Sequence, residues 1–455
     1  MRTASINIKS VIKSKNRFDG EHYLNPNSFL SLALENNANS CKTLADIATV
    51  FNPPVFKRQF CKNTPNAVKY YQSSDVQLAS EDSSVYVYKG QAKKLNLLVK
   101  QGDILVTGFD TIGNVRLVSK FQNDTCYANN VCRIRVNPEI HKGFIYAFMS
   151  SKYGNAQLNK NASGSVVRYI EAPGIKRTLI PFFPDSFQKE VDDLIKESVH
   201  LSEETVYALD EAKRLIEDFC NNPFKKTEGK SIGVVNSSLL LNSLNTRFDA
   251  PVFINDGVNW AKNLTRETVL LGDCKITAWY PGMFKRSYVK KGYPYIKGSE
   301  LFLSDPFRKC EQLSRSKTPK LDELWLREGQ LLISCAGACG LVKLITKEYE
   351  DKNALGSPVI IRVVSEDSLF TKEYLFAYLQ IPAIYDYMQS LKYGSVIERF
   401  DISNLMTIPI VKPTYELSNA ITEIIRSYSD LTYRAYKAEE KAILMVEQEI
   451  EKWNN

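Results

Sequence analysis

Apolar and polar positions along this chain change period in a fixed order, and the order occurs twice. Up to about Gly164 the alternation is short, as in half-buried strands, and it predicts strands at 103–107 and 115–118. A glycine-bounded turn at 108–113 joins them, and a short helix is expected near 143–157. Ile180-Pro181 then punctuates the chain and a helical period takes over. Val191, Ser198, Thr205, Ala212 and Phe219 lie seven apart, with Leu194, Leu201, Ala208 and Leu215 three residues further on. The second round places strands at 331–334 and 342–345, a turn at 337–340 and a helix near 372–389. Its heptads are Ile421, Tyr428, Ala435 and Ala442, with Ile424, Leu431, Ala438 and Met445. Neither Pro nor Gly occurs in 187–219 or 416–453, so each stretch predicts a helix of about 50 Å at 1.5 Å per residue. Small residues partway along both stripes permit close approach of two helices, and an antiparallel pair suits them better than two separate capping helices.

The two rounds share residues as well as period. Arg17-Phe18-Asp19 returns as Arg247-Phe248-Asp249, and Phe56-Lys57-Arg58 as Phe284-Lys285-Arg286. Gly102-Asp-Ile-Leu-Val-Thr107 matches Gly329-Gln-Leu-Leu-Ile-Ser334, and the register continues from Gly113 to Lys120 against Gly340 to Lys347. Gly164-Ser-Val-Val returns as Gly394-Ser-Val-Ile, and Ile180-Pro181 as Ile408-Pro409. Six matches in one order, at offsets drifting by a few residues, indicate two copies of one domain. So long a period is not that of a solenoid.

Composition narrows the class. With 44% hydrophobic and 24% charged residues the chain has the make-up of a globular protein. No apolar run reaches membrane-span length and Met1–Ile6 lacks a signal-peptide core, so a cytoplasmic protein is expected. Nine scattered cysteines and three histidines (His22, His141, His200) bring no metal-ligand spacing together. Cys335 and Cys339 have no second pair nearby, and reduced thiols are expected. Net charge alternates: +12 over 1–184, −7 over 185–222, +6 over 223–412 and −3 over 413–455. The basic blocks suit a polyanion. The acidic helices do not, and are better suited to spacing the domains and meeting protein partners.

A basic β-rich domain followed by a long helix, then the same again, resembles the specificity subunit of type I restriction-modification systems over essentially the whole chain. The carriers are the Arg17 and Arg247 entries, the Gly-Asp-Ile-Leu and Gly-Gln-Leu-Leu strands, and the Gly-Ser…Ile-Pro passages into the helices. The resemblance implies an α+β chain with two pseudo-repeated β-rich target-recognition domains joined by two long antiparallel coiled-coil-like helices. The domains are expected at 1–184 and 223–412, and the helices at 185–222 and 413–455. It further implies a split, asymmetric double-stranded DNA target, because the copies differ strongly in 63–100 and 290–327. The partners implied are adenine methyltransferase subunits, which would hold S-adenosylmethionine, and restriction or translocase subunits. The chain itself would bind no cofactor or metal and catalyse nothing.

Candidate DNA contacts follow from residue type at matched places. Lys57-Arg58 and Lys285-Arg286, each beside a phenylalanine, suit phosphate positioning. Gln72 and Lys297, in matching tyrosine-rich stretches, suit adenine and guanine edges. Thr107 and Ser334 precede turns that bring backbone toward DNA or simply close hairpins, while Arg168 and Arg399 follow the Gly-Ser pairs. The helix stripe (Val191, Leu194, Leu201, Ala208, Ala212, Leu215, Ile421, Ile424, Leu431, Ala438, Ala442, Met445) is the expected helix or partner interface. Asn52-Pro-Pro-Val-Phe56 looks like the base-flipping motif of adenine methyltransferases, but Val55 stands where the aromatic belongs. No glycine-rich cofactor loop, P-loop or compact nuclease-like carboxylate set accompanies it. A free-standing methyltransferase and a protein-binding coiled-coil scaffold are the rival readings.

Overall fold

The computed structural model describes residues 8–13, 26–79, 85–109, 111–164, 168–227, 234–241, 247–394 and 396–454. Arg17, Phe18, Asp19 and His22 lie outside them, as do Ser165, Val166, Val167 and Ser395. The chain forms two compact units, one of Met1–Glu203 with Arg434–Asn455, the other of Glu204–Tyr433. No helix among the described residues is long and apolar enough to cross a membrane.

In the first unit the strands are β1 (Cys41–Thr43), β2 (Ala48–Phe51), β3 (Phe60–Cys61), β4 (Ala67–Tyr71), β5 (Tyr86–Tyr88), β6 (Ile104–Thr107), β7 (Val115–Leu117), β8 (Cys126–Tyr127), β9 (Val131–Val136) and β10 (Leu179–Pro181). The principal sheet runs β2-β9-β6-β7 and a second runs β3-β5-β4-β8, with β1 paired to β10. Its helices include α1 (Pro26–Asn36), α2 (Lys142–Ser150), α3 (Lys152–Asn161) and the start of α4 (Asp185–Cys220). Successive side chains of a strand face opposite ways, and β6 exploits both faces. Ile104 and Val106 join the core under the helices, whereas Leu105 points into the core beneath the second sheet. All four β6 residues are buried, which is why this strand is a continuous apolar run.

The second unit repeats this strand for strand: β11 (Thr268–Leu270), β12 (Ile276–Trp279), β13 (Tyr288–Val289), β14 (Tyr293–Ile296), β15 (Glu311–Leu313), β16 (Leu331–Ser334), β17 (Val342–Leu344), β18 (Leu355–Gly356), β19 (Ile360–Ser365) and β20 (Pro409–Val411). Its sheets run β12-β19-β16-β17 and β13-β15-β14-β18, with β11 on β20. Both β4–β8 and β14–β18 are the parallel pairs of otherwise antiparallel sheets. The helices are α5 (Asp256–Lys262), α6 (Lys372–Tyr378), α7 (Pro382–Ser390) and α8 (Tyr415–Glu451), the last shared with the first unit. Where one short helix is expected in each copy there are two. Ser151 ends α2 and caps α3 by accepting the Gly154 N–H, and Pro382 opens α7.

The long helices α4 and α8 are continuous over 36 and 37 residues. Val191, Ala212, Ile421 and Ala442 are fully buried, and Leu201 and Ala438 nearly so. The expected partners Leu194, Leu215, Ile424 and Met445 are only half-buried, as are Ala208 and Leu431. The residues one step beyond, Ile195, Ile216, Ile425 and Val446, are buried completely instead. A heptad seam assumes one partner helix. Here each helix also lies on the helical layer of a unit, so the buried stripe widens to a four-residue step. Polar groups on that stripe are committed: Asp192 Oδ1 accepts the Gly143 N–H at 2.6 Å, and Ser198 Oγ donates to the Ala435 carbonyl at 2.8 Å.

One pair of residues joins the two sheets of each unit. Arg133, at the centre of β9, is 0% exposed and reaches the carbonyls of Leu97 (3.1 Å), Tyr127 (2.8 Å), Ala128 (3.1 Å) and Val131 (2.5 Å). Arg362, at the same place in β19, donates to Leu324 (2.8 Å), Trp325 (2.7 Å) and Gly356 (3.3 Å). Burial lowers both guanidinium pKa values to about 10, so both remain cations at neutral pH. We expect Arg133→Met or Arg362→Met to destabilise the unit that carries it by about 3 kcal/mol, because several buried carbonyls lose their donor at once. Urea unfolding of each variant checks this, and an unchanged midpoint would contradict it.

Candidate nucleic-acid interface

In the first unit, five loops meet at the end where β2, β4 and β6 finish. Asn52, directly after β2, donates from Nδ2 to the Asn129 carbonyl at 3.2 Å and accepts the Ala172 N–H on Oδ1 at 2.8 Å. Asn130 accepts the Gly108 N–H at 3.2 Å and donates to Ser73 Oγ at 3.1 Å. Ser163 and Tyr169 exchange both backbone hydrogen bonds, forming a hairpin whose Ile170 N–H bonds Gly108 at 2.7 Å. Phe109 and Tyr169 stack with ring centroids 5.6 Å apart. Segments beginning at Asn52, Ser73, Gly108 and Ala128, with residues 163–164 and 168–170, are thereby tied into one surface on a rigid sheet, the arrangement in which binding residues are held.

The second unit assembles the same surface with other side chains. Tyr393 and Arg399 exchange both backbone bonds, and the Gly337 N–H bonds Glu398 at 3.1 Å. Phe400 N–H bonds the Cys335 carbonyl at 3.1 Å, and the Cys335 thiol reaches the Val359 carbonyl at 3.1 Å. Tyr280 hydrogen-bonds the same thiol, and burial pushes its hydroxyl well above the usual tyrosine range. Tyr393 Oη lies 3.2 Å from Asp401 Oδ2.

The sequence candidates divide into presented and committed groups. Lys57 and Lys285 are exposed, and neither has an ion-pair partner among the described residues. Arg58 lies 5.7 Å from the Tyr70 ring centre, and Arg286 lies 5.4 Å from that of Tyr295 while donating to its hydroxyl. Gln72 is exposed on a turn held by its own N–H on Asp75 at 2.7 Å, and Lys297 sits on the matching turn through Glu300 at 2.9 Å. The Lys297 ammonium already pairs with Glu311 at 2.6 Å, which raises its pKa. Thr107 and Ser334 are buried and brace the turns. Thr107 Oγ1 accepts the Asn114 N–H and donates to Thr111, and Ser334 Oγ accepts the Leu341 N–H at 2.9 Å and donates to Ala338 at 2.5 Å. These turns close through Gly113 and Gly340, whose φ values of 81° and 87° favour glycine. Arg168 is exposed and donates to the Asn159 carbonyl, while Arg399 is exposed on its hairpin. The hairpins align Arg399 with Tyr169, not with Arg168.

Sequence reasoning missed the bracing asparagines Asn52 and Asn130 and the buried Arg133 and Arg362. For the arginines a signal existed: a cation at the third place of a largely apolar strand in both copies (VCRIRV and IIRVVS). Asn52 spends both polar atoms on backbone, so the Asn52–Phe56 stretch is a braced loop here. All nine cysteines are free thiols, and burial pushes Cys126 and Cys132 up to about 12. Among the described residues no group of His, Cys, Asp or Glu is arranged to hold a metal ion.

Comparison with known proteins adds the family. Residues 38–197 match the type I restriction modification DNA specificity domain. No curated protein matches the chain. Among solved structures, the chain is similar to the S subunit of a type I restriction-modification system from M. genitalium, at 12% identity and TM-score 0.36, over 91% of this chain and 95% of that one. It is also similar to the HsdS subunit from Thermoanaerobacter tengcongensis, at 12% identity and TM-score 0.28, over 90% and 95%. The family match spans β1 to β10 and the first turns of α4, together with the loops converging at the end of β2, β4 and β6. Over that stretch the chain matches the type I restriction modification DNA specificity domain.

Proposed function

We propose that the chain recognises a bipartite, asymmetric double-stranded DNA target, one half with each unit, and recruits adenine methyltransferase subunits and a restriction or translocase subunit to it. The observation that carries this reading is the matched end surface: the same loops in the same register, each with an exposed lysine and a ring-supported arginine, and with different side chains at the turn positions 72 and 297. Repeated basic residues supply phosphate contacts, which position but do not specify. Differing residues on matched turns supply discrimination. The spacing elements in this reading are α4 and α8, an antiparallel pair whose length sets the gap between the half-sites while their acidic outer faces meet protein. Two half-site readers linked this way gain affinity by effective concentration, at the correct spacing alone. Chemistry belongs to the partners, which hold the S-adenosylmethionine, and the complex acts in the cytoplasm.

Methylation mapping of genomic DNA, from cells with the neighbouring methyltransferase and with or without this chain, tests the reading directly. One split motif with a constant spacer should appear only when the chain is present; unchanged methylation, or a continuous motif, would favour a protein-binding scaffold. Purified alone with S-adenosylmethionine, the chain should methylate nothing, and measurable transfer would revive an autonomous methyltransferase.

Replacing Lys57 and Arg58 together by alanine should weaken DNA binding about 10-fold at moderate salt, on cognate and unrelated duplexes alike. The slope of log affinity against log salt should fall by about 2, one for each phosphate contact. A loss confined to the cognate duplex would make these residues base readers instead.

A further inference from the structure

The loop that follows the first strand of each principal sheet has one construction in both units. Pro53 and Pro281 are buried. Three residues later Phe56 and Phe284 turn inward and pack against the cores beneath the second sheets. Between these two anchors the residue just before the phenylalanine is left in solvent in both copies: Val55 is 87% exposed, beside an exposed Pro54, and Met283 is 76% exposed. A single exposed aliphatic residue means little on a protein surface. Here the same position is exposed in both copies, anchored on both sides, and separated by one phenylalanine from Lys57-Arg58 or Lys285-Arg286. Asn52 fixes one loop at its start, and the Gly282 N–H fixes the other on Glu323 at 2.8 Å. The ordering cost of presenting these side chains is therefore met by the fold and not at the moment of binding.

What such a group meets is narrowed by its surroundings. Basic residues next in sequence favour a polyanion over an apolar protein groove. Within DNA, the apolar feature that marks a particular base is the thymine 5-methyl group in the major groove. Residues that part base steps are long or aromatic, methionine among them, and a stiff valine is too short for that, so Val55 sets the role of the shared position and Met283 takes it by its matched place. Valine is well suited to cover a methyl group.

We propose that Val55 and Met283 are specificity residues, each covering the 5-methyl of one thymine in its half-site. This rests on the DNA-target reading above, and the test separates the two. Once the target is mapped, binding of the chain with its methyltransferase partner is titrated on duplexes in which each thymine in turn becomes deoxyuridine, which lacks only the methyl. The wild-type complex should lose about 4-fold at one thymine in each half, the effect of one buried methyl. Val55→Ala should bind the thymine duplex about 4-fold more weakly and lose its thymine–uracil discrimination in one half only. Met283→Ala should do the same in the other. Both side chains are exposed, so neither variant threatens folding. Wild-type binding indifferent to every deoxyuridine overturns the proposal, as does discrimination that survives both substitutions. If Val55→Ala or Met283→Ala instead releases the methyltransferase, the loop is a protein contact and the proposal fails. A complex that does not bind the mapped duplex at all defeats the DNA reading itself.

Discussion

Each unit depends on one buried cation solvated by peptide carbonyls. A guanidinium is planar, offers donors in a fixed fork and keeps its charge even at a lowered pKa, so it can hold several carbonyls in one geometry. Arg133 and Arg362 use this to tie the last strand of the principal sheet to the segment that leaves the second sheet for β6 or β16 and to the strand that pairs in parallel with β4 or β14. A parallel pair of two residues is a weak ladder on its own, and the guanidinium gives its carbonyls a further partner. Without that tie the two sheets of the first unit would meet mainly through apolar side chains, which specify a separation less sharply than hydrogen bonds do, helped by bonds such as Arg116 to the Leu78 carbonyl.

Loop placement follows from this joint. The end surface draws segments from both sheets: 52–58 and 108–113 follow strands of the principal sheet, and 72–75 follows a strand of the second. Fixing one sheet on the other fixes those segments as a group, so the loops can vary in sequence without disturbing the scaffold that holds them. The split between exposed Lys57 and Lys285 and buried Thr107 and Ser334 expresses the same division, one class facing outward and the other holding turns closed.

Much of this was legible in the residues, and the gaps have physical causes. The matched runs 102–107 and 329–334 fall on β6 and β16, and Gly113 and Gly340, which end their turns, both have positive φ. Strand pairing across long stretches, as between Cys41 and Pro181, was not legible, because register is set by partners distant in sequence. Nor was the break at Ser151, since a residue that caps one helix looks like an ordinary member of a longer one. The stripe on α4 was placed one residue off at Leu194 and Leu215, because a heptad pattern counts one neighbour where the helix has two. For the end surface, residue type identified the basic pairs but could not tell that Thr107 would be enclosed. Hydroxyls serve turns and ligands equally well, and only burial separates the two uses.

The division of the chain carries a consequence for its synthesis. The first unit is discontinuous, completed by Arg434–Asn455, while the second is a single stretch, Glu204–Tyr433. Val191 and Ile195 share their core with Ala442, Val446 and Ile450, which leave the ribosome some 250 residues later. The half that emerges first is thus the last to be finished, and it waits with an apolar helix face open while the other half folds. Loop closure over that distance adds little to the equilibrium, since the entropy grows only with the logarithm of length. The burden is kinetic: a nascent chain that must be shielded from aggregation until its final helix arrives.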